Sequence, residues 1–405
     1  PYVAPPTISP AGGTFKYVQT VTIADTMAGA AIYYTRDGST PTASSTPYTG
    51  PITVTGGLNV TAIAILNGIS SQASNQKYTV NDISGLMSTV AGSGKQKYNG
   101  DGINALGAAI YPTGVAFDSH GNLFIADFGN LRVRMVTPTG IISTVAGNGN
   151  LCPFVEGIAA TDSCLRPMDV AVDKNDNLYI SIDDRICKVT TDGVITTFAG
   201  GAEESGAAGV GDGGPATGAS LFGPDEIAFD TNGSLYIADT THGLIRKVTP
   251  DGIITTVAGG NTANNNGDGG PATDAQLRHP VGVAVDSKDD IYISDDYDST
   301  VRKVTPDGII STIRVPTLIN PGGLAFDNRG GLLYVTDTRQ SAIFVLTPDG
   351  IWYRAAGNPP SNGFLGDGGD SQNATLTLPN SVGLDPAGNL YIADTFNYRV
   401  RKVTF

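Results

Sequence analysis

The sequence predicts an all-β protein, a six-bladed β-propeller preceded by a small Ig-like β-sandwich, on three observations. A five-residue run ending in Asp recurs six times, at 114–118, 169–173, 226–230, 282–286, 323–327 and 381–385, with 55, 57, 56, 41 and 58 residues between successive closing aspartates. Each copy leads into further short runs rich in Val, Ile, Tyr and Thr, punctuated by Gly, Pro, Asn and Asp, which is the pattern of strands joined by hairpins. Residues 1–80 lie outside the repeat and have a different texture.

Within a repeat the second run is typified by Leu-Tyr-Ile-Ala-Asp at 390–394 and the third by Arg-Val-Arg-Lys-Val at 399–403. A Thr-Pro-Asp-Gly turn then introduces a fourth run such as Ile-Ile-Thr-Thr-Val-Ala at 253–258. Four antiparallel strands per unit, six times over, make the blades of a propeller. The order of the runs also predicts how the ring closes. A fourth-type run, Leu-Met-Ser-Thr-Val-Ala at 86–91, precedes any first-type run, and the chain ends just after a third-type run. The last blade is therefore completed by the strand at 86–91, leaving no ragged blade edge. Residues 1–82 read as the sandwich and 83–405 as the propeller, with 81–85 as a short linker.

Composition narrows the function. The chain has 24 Lys+Arg against 38 Asp+Glu, a formal charge of −14, so it lacks the basic surface that nucleic acid or an anionic membrane requires. No stretch reaches the roughly 18 consecutive apolar residues of a membrane-spanning helix. The opening Pro-Tyr-Val-Ala-Pro-Pro, without Met, reads as a trimmed start. With abundant Thr, Gly, Asn and Tyr it points to an extracytoplasmic protein, secreted or at the cell surface. Cys152 and Cys164 share one loop segment and are expected to form a disulfide that pins it. Cys187 stands where other blades have Arg and is expected to be a packed thiol.

The blade text, including 389–394, 399–403 and the recurring Gly-Asp-Gly-Gly-Pro-Ala-Thr at 211–217 and 267–273, resembles the NHL repeat family over about 83–405. That resemblance implies the propeller fold but little chemistry, because NHL-type propellers include interaction modules, RNA binders, sensors and amidating lyases, with lactonases on similar scaffolds. Asp-Gly-Ser-Thr-Pro at 37–41 and Tyr-Thr-Gly-Pro-Ile at 48–52 resemble the chitobiase/β-hexosaminidase C-terminal domain family. This second resemblance implies an Ig-like accessory domain, common on secreted bacterial proteins, without catalysis of its own.

Residues that break the repeat are the candidates for function. Asp127, Asp239, Asp295, Asp337 and Asp394 all end second strands, and one active site cannot need five copies, so they read as turn-holding side chains. The aspartates of the Gly-Asp-Gly motifs (Asp101, Asp212, Asp268, Asp367) read the same way. At the first-strand entrance, however, the blades read Gly114, Asp169, Glu226, Gly282, Gly323 and Ser381, and Asp225 precedes Glu226. Asp169, Asp225 and Glu226 thus converge on the channel mouth, flanked by Arg166 and His279. Carboxylates at close quarters raise one another's pKa or attract a cation, so the functional reading is a metal site for a divalent ion such as calcium, a cationic-ligand site or a general base. The plain alternative is a solvated rim neutralised by Arg166. Asn320 and Asn380 are further candidates for a lactonase-like ion site.

On the same face, Phe128, Tyr297 and Phe396 offer stacking platforms for a sugar ring or a partner's apolar side chain. His242 is expected there as an isolated surface residue. Five of the six loops before a first strand are long and that at 314–320 is short, which predicts a notch in this rim. The preferred function is a binding or scaffold protein with protein or glycan partners and no cofactor. The competing readings are a metal-dependent hydrolase or lyase and a subunit assembling head to tail.

Overall fold

A computed structural model of the protein describes residues 2–15, 19–54, 56–80, 84–202, 211–261, 266–314, 318–348, 350–359 and 361–405. Most of the linker expected at 81–85 and the centre of the short loop 314–320 lie outside the described residues. The N-terminal region forms two facing sheets, one ordered Thr7–Ser9, Gln19–Ala24, Ile52–Val54 and the other built around Leu58–Leu66. Period-2 alternation buries one face of each, so Val21, Ile23, Val54, Val60, Ala62 and Tyr78 meet in a common core. The Tyr78 hydroxyl is kept satisfied by donating to the Pro10 carbonyl at 2.6 Å.

Beyond it, six antiparallel blades follow among the described residues, opening with Pro112–Phe117, Asp169–Val172, Pro224–Phe229, Pro280–Val285, Pro321–Asp327 and Val382–Leu384. Leu86–Ala91 pairs antiparallel with Arg399–Thr404, the third strand of the last blade. The two ends of the propeller are thereby hydrogen-bonded into one sheet. Asp367 reinforces the joint, accepting from Thr89 Oγ1 at 2.7 Å and pairing with Arg401 at 2.8 Å.

The repeated aspartates tie each blade to its own loop. Asp127, Asp239, Asp295, Asp337 and Asp394 accept the backbone N–H of Tyr111, Phe222, Arg278, Ile319 and Thr377, at 2.7–2.8 Å. Each bond pins the loop that enters the first strand onto the loop that leaves the second. Burial pushes the Asp127 and Asp394 carboxyls up to about 6. The Gly-Asp-Gly aspartates reach a third-strand Arg of the blade they adjoin, in the pairs Asp101–Arg134, Asp212–Arg246, Asp268–Arg302 and Asp367–Arg401, at 2.6–2.8 Å. Blades two and five have Cys187 and Phe344 at the Arg position and lack the Gly-Asp-Gly motif as well. Cys187 is fully buried, and desolvation raises its thiol pKa out of the reactive range. Cys152 and Cys164 are disulfide-bonded, with Cα atoms 5.6 Å apart.

Candidate functional site

The loops before the first strands and those between the second and third strands open on one face. At the channel mouth they enclose a cavity of about 400 Å³. Asp169, Asp225, Glu226, His279, Phe128 and Phe396 all line it, and Tyr111, Asp296, Asn320 and Asn380 join them.

Its floor is made by two buried carboxylates whose hydrogen bonds go to the backbone. Asp169 accepts the Ile227 N–H at 3.1 Å, bonding blade two to blade three. Glu226 reaches further, accepting the Val283 N–H at 2.9 Å and the Leu324 N–H at 2.9 and 3.0 Å, so blade three is bonded to blades four and five. Glycine at the equivalent position of other blades makes room for these side chains. A Cβ on Gly114 would collide with Asp169 Oδ1, and one on Gly282 or Gly323 would stand 2.9 Å from a Glu226 oxygen. Two large acids and three glycines in one ring column are thus a single packing solution. Desolvation raises the pKa of both acids, and for Glu226 the neighbouring Asp169 charge adds to it.

The geometry gives Asp169 and Glu226 main-chain partners at the place where a cation was expected with Asp225. Among the described residues, no three His, Cys, Asp or Glu side chains are grouped as a metal ion requires. The floor carboxylates meet main-chain donors, through Oδ2 of Asp169 and through both oxygens of Glu226. Asn320 is engaged by the Thr338 hydroxyl, and Asn380 Nδ2 donates to the Thr113 carbonyl at 3.1 Å.

The walls differ from the floor. On one side Tyr111 packs against Phe128, Phe396 and Tyr398, with ring centroids 6.0, 5.7 and 5.6 Å away. Phe396 is 48% exposed and presents a flat apolar surface. On the other side His279 Nδ1 lies 2.7 Å from Asp296 Oδ1. That hydrogen bond raises the His279 pKa against the opposing effect of burial. Desolvation pushes Asp225 up to about 6, opposed by the His279 charge and assisted by Asp296. The cavity therefore sets an aromatic wall opposite an imidazole held by a carboxylate, a pair suited to hydrogen bonding and proton transfer.

Two expected members stand apart from this cavity. Arg166 is exposed on the rim, 3.7 Å from Asp183 and with its guanidinium 4.9 Å from the Phe128 ring centre, so it does not neutralise the floor acids. Tyr297 lies in a separate cleft between blades three and four. Asp296 and Thr338 escaped the sequence reading although their column carried a signal. The residue after the second strand reads Phe128, Asp183, Thr240, Asp296, Thr338 and Thr395, and four of these six line the cavity.

Comparisons with known proteins agree with this architecture. The chitobiase/β-hexosaminidase C-terminal domain family matches residues 10–76. The Teneurin NHL domain matches 204–266 and 261–315, and the NHL repeat matches 110–134. The chain thus carries NHL repeats behind a chitobiase/β-hexosaminidase C-terminal-type domain. Teneurin-3 of Danio rerio is 28% identical over 400 residues, covering 84% of this chain but 14% of the relative. The chain therefore spans a small part of the length of the curated relatives it matches.

Among solved structures, a Bacteroides thetaiotaomicron protein of unknown function superposes with a TM-score of 0.61 at 17% identity, covering 98% of this chain and 97% of that one. An auxiliary nutrient binding protein from Bacteroides ovatus gives 0.55 at 14% identity, covering 99% and 97%. A gluconolactonase from Xanthomonas campestris gives 0.50 at 16% identity, covering 73% and 86%. At these identities the likeness is one of fold. Among the described residues, no helix is long and apolar enough to cross a membrane.

Proposed function

We propose that the chain is an extracytoplasmic recognition module whose long-loop face binds protein or glycan partners, with the central cavity as the docking point. One observation carries this reading. The buried acids are spent on the backbone of neighbouring blades, while the aromatic wall above them is open to solvent at Phe396. A rigid floor under an accessible aromatic surface is the arrangement of a binding pocket. Support also comes from the nutrient binding protein of like fold.

The test is binding of the labelled chain to arrays of extracellular glycans and secreted proteins. Phe396→Ala should weaken the strongest interaction about tenfold, the usual scale for an aromatic anchor. Ile141→Ala, on the outer strand of blade one, should leave it unchanged. Equal binding by wild type and Phe396→Ala would overturn the assignment.

A second reading rests on His279 and Asp296. With Nδ1 held by Asp296, Nε2 is the nitrogen left to activate water against a lactone or ester. Because the His279 pKa is raised, the neutral base forms only above its usual range, so turnover would climb as pH rises through the shifted value. Hydrolysis of δ-gluconolactone above the spontaneous rate, cut about a hundredfold or more in His279→Asn, is the result this reading requires. Identical rates with and without protein would remove it.

A further inference from the structure

The cleft between blades three and four holds a histidine that the central cavity does not use. His242 is 5% exposed in its side chain, and its Nδ1 lies 2.8 Å from Asp239 Oδ2. Asp239 also pairs with Arg246 at 3.4 Å, so it is the acceptor and the imidazole Nδ1–H the donor. In the neutral ring Nε2 is then a bare lone pair. It is buried, and it has no hydrogen-bond partner among the described residues. A buried acceptor left unmet carries a desolvation cost, so the site favours a molecule that brings a donor.

The surroundings narrow the kind of molecule. His242 lines a cleft of about 330 Å³ together with Gln276, Arg278 and Tyr297. Tyr297 is 69% exposed, and the Arg278 guanidinium carbon lies 5.3 Å from its ring centre. Arg278 is also 3.4 Å from Asp298, which holds the guanidinium in place beside the ring. Phe222 packs edge-on to the His242 ring at 6.0 Å and fixes its orientation. The cleft thus offers a flat apolar surface, guanidinium donors and one buried acceptor. A pyranose supplies the complement of all three, with a face of C–H groups, ring and hydroxyl oxygens that accept, and a hydroxyl that donates.

We infer that this cleft is a sugar-binding subsite, with Tyr297 as the stacking platform, His242 Nε2 accepting a hydroxyl and Arg278 donating to sugar oxygens. The inference deepens the recognition reading of the same face but concerns a site distinct from the central cavity. Neither Tyr297 nor His242 lines that cavity, and Phe396 does not line the cleft.

The test is saturation-transfer NMR and calorimetry on the full chain, with methyl glycosides of glucose, mannose, galactose and N-acetylglucosamine as probes. At least one should bind, and Tyr297→Ala should lower its affinity about tenfold, since one platform ring carries much of a sugar contact. His242→Phe keeps the ring and its packing while removing the acceptor, and should weaken binding by a similar factor. Tyr297 is exposed enough that its replacement leaves the fold intact, so this variant decides alone if His242→Phe unfolds. Phe396→Ala should bind the glycoside as wild type does. Absence of binding by all four probes, or a bound glycoside indifferent to Tyr297→Ala, overturns the inference. A glycoside lost in Phe396→Ala but kept in Tyr297→Ala overturns it too, while upholding the central cavity as the docking point.

Discussion

Glu226→Gln is expected to raise the thermal midpoint of the propeller at pH 8 and to flatten its dependence on pH. In the folded chain Asp169 and Glu226 both titrate above the usual carboxylate range, because burial penalises the charged forms and, at Glu226, the Asp169 charge adds repulsion. A group whose folded pKa lies above its unfolded value contributes stability that is complete below the unfolded pKa. It loses that contribution as pH rises through the folded value. The floor acids therefore favour the native state below about pH 4 and progressively cease to do so toward neutrality and beyond. Each pKa unit of displacement is worth about 1.4 kcal/mol, which sets the scale of the effect.

Asp225, Asp127 and Asp394, all at about 6, and His279, also raised, carry the same sign. Asp173 and Asp385 carry the opposite one, because Asn177 and Asn389 hold their carboxyls below the usual range against the opposing effect of burial, and their contribution is lost on acidification. Melting curves at pH 5 and pH 8 distinguish the cases. A glutamine at 226 can still accept the Val283 and Leu324 N–H groups through one oxygen, so the blade-to-blade bonds survive. If Glu226→Gln instead melts lower at pH 8, the charged carboxylate is what the backbone donors require, and burial does not dominate.

Much of this fold is visible in one sequence because a propeller repeats its constraints. Six Asp-closed first strands and a misplaced fourth-type run at 86–91 are enough to place the blades and the closing strand. The aspartates that end second strands could likewise be read as structural, since five copies cannot share one site. The site was only half legible for the converse reason. Asp169 and Glu226 stood out as breaks in a glycine column, yet their partners are main-chain N–H groups of other blades, which no side-chain pattern encodes. The sequence shows the carboxylates and hides these donors. His242 was read as an isolated surface residue because its burial arises from Phe222 and Asp239, which come from two other segments of its blade. Tyr297 and Phe396 both follow second strands, and only the packing of Tyr111 decides which ring joins the central wall.

Arg246→Met is expected to destabilise the chain by about 3–5 kcal/mol, the cost of leaving a buried charge without its partner. Arg246 is fully buried and lies 2.6 Å from Asp212, 3.4 Å from Asp239 and 3.2 Å from the Ser220 carbonyl. Its two acidic partners are not equivalent. The Asp212 side chain is 38% exposed and regains water when the pair is broken, whereas Asp239 is completely enclosed. The penalty should therefore reside mainly at Asp239, and Arg246→Met/Asp239→Asn should recover at least half of it in chemical denaturation. Blade two supplies the precedent within the same molecule. There the second strand ends in Ile182 where its neighbours have Asp, Cys187 replaces Arg, and both are buried in one apolar cluster with Leu178 and Ile180. In blade two the acid and the base are lost together, whereas blade five, with Phe344 for the Arg, keeps a buried Asp337 that accepts the Ile319 and Gln340 N–H groups and the Gln340 side-chain amide instead. A double variant no more stable than the sum of its two single losses would show that Asp239 is held by the Phe222 N–H and His242, with its charge no burden once Arg246 is gone.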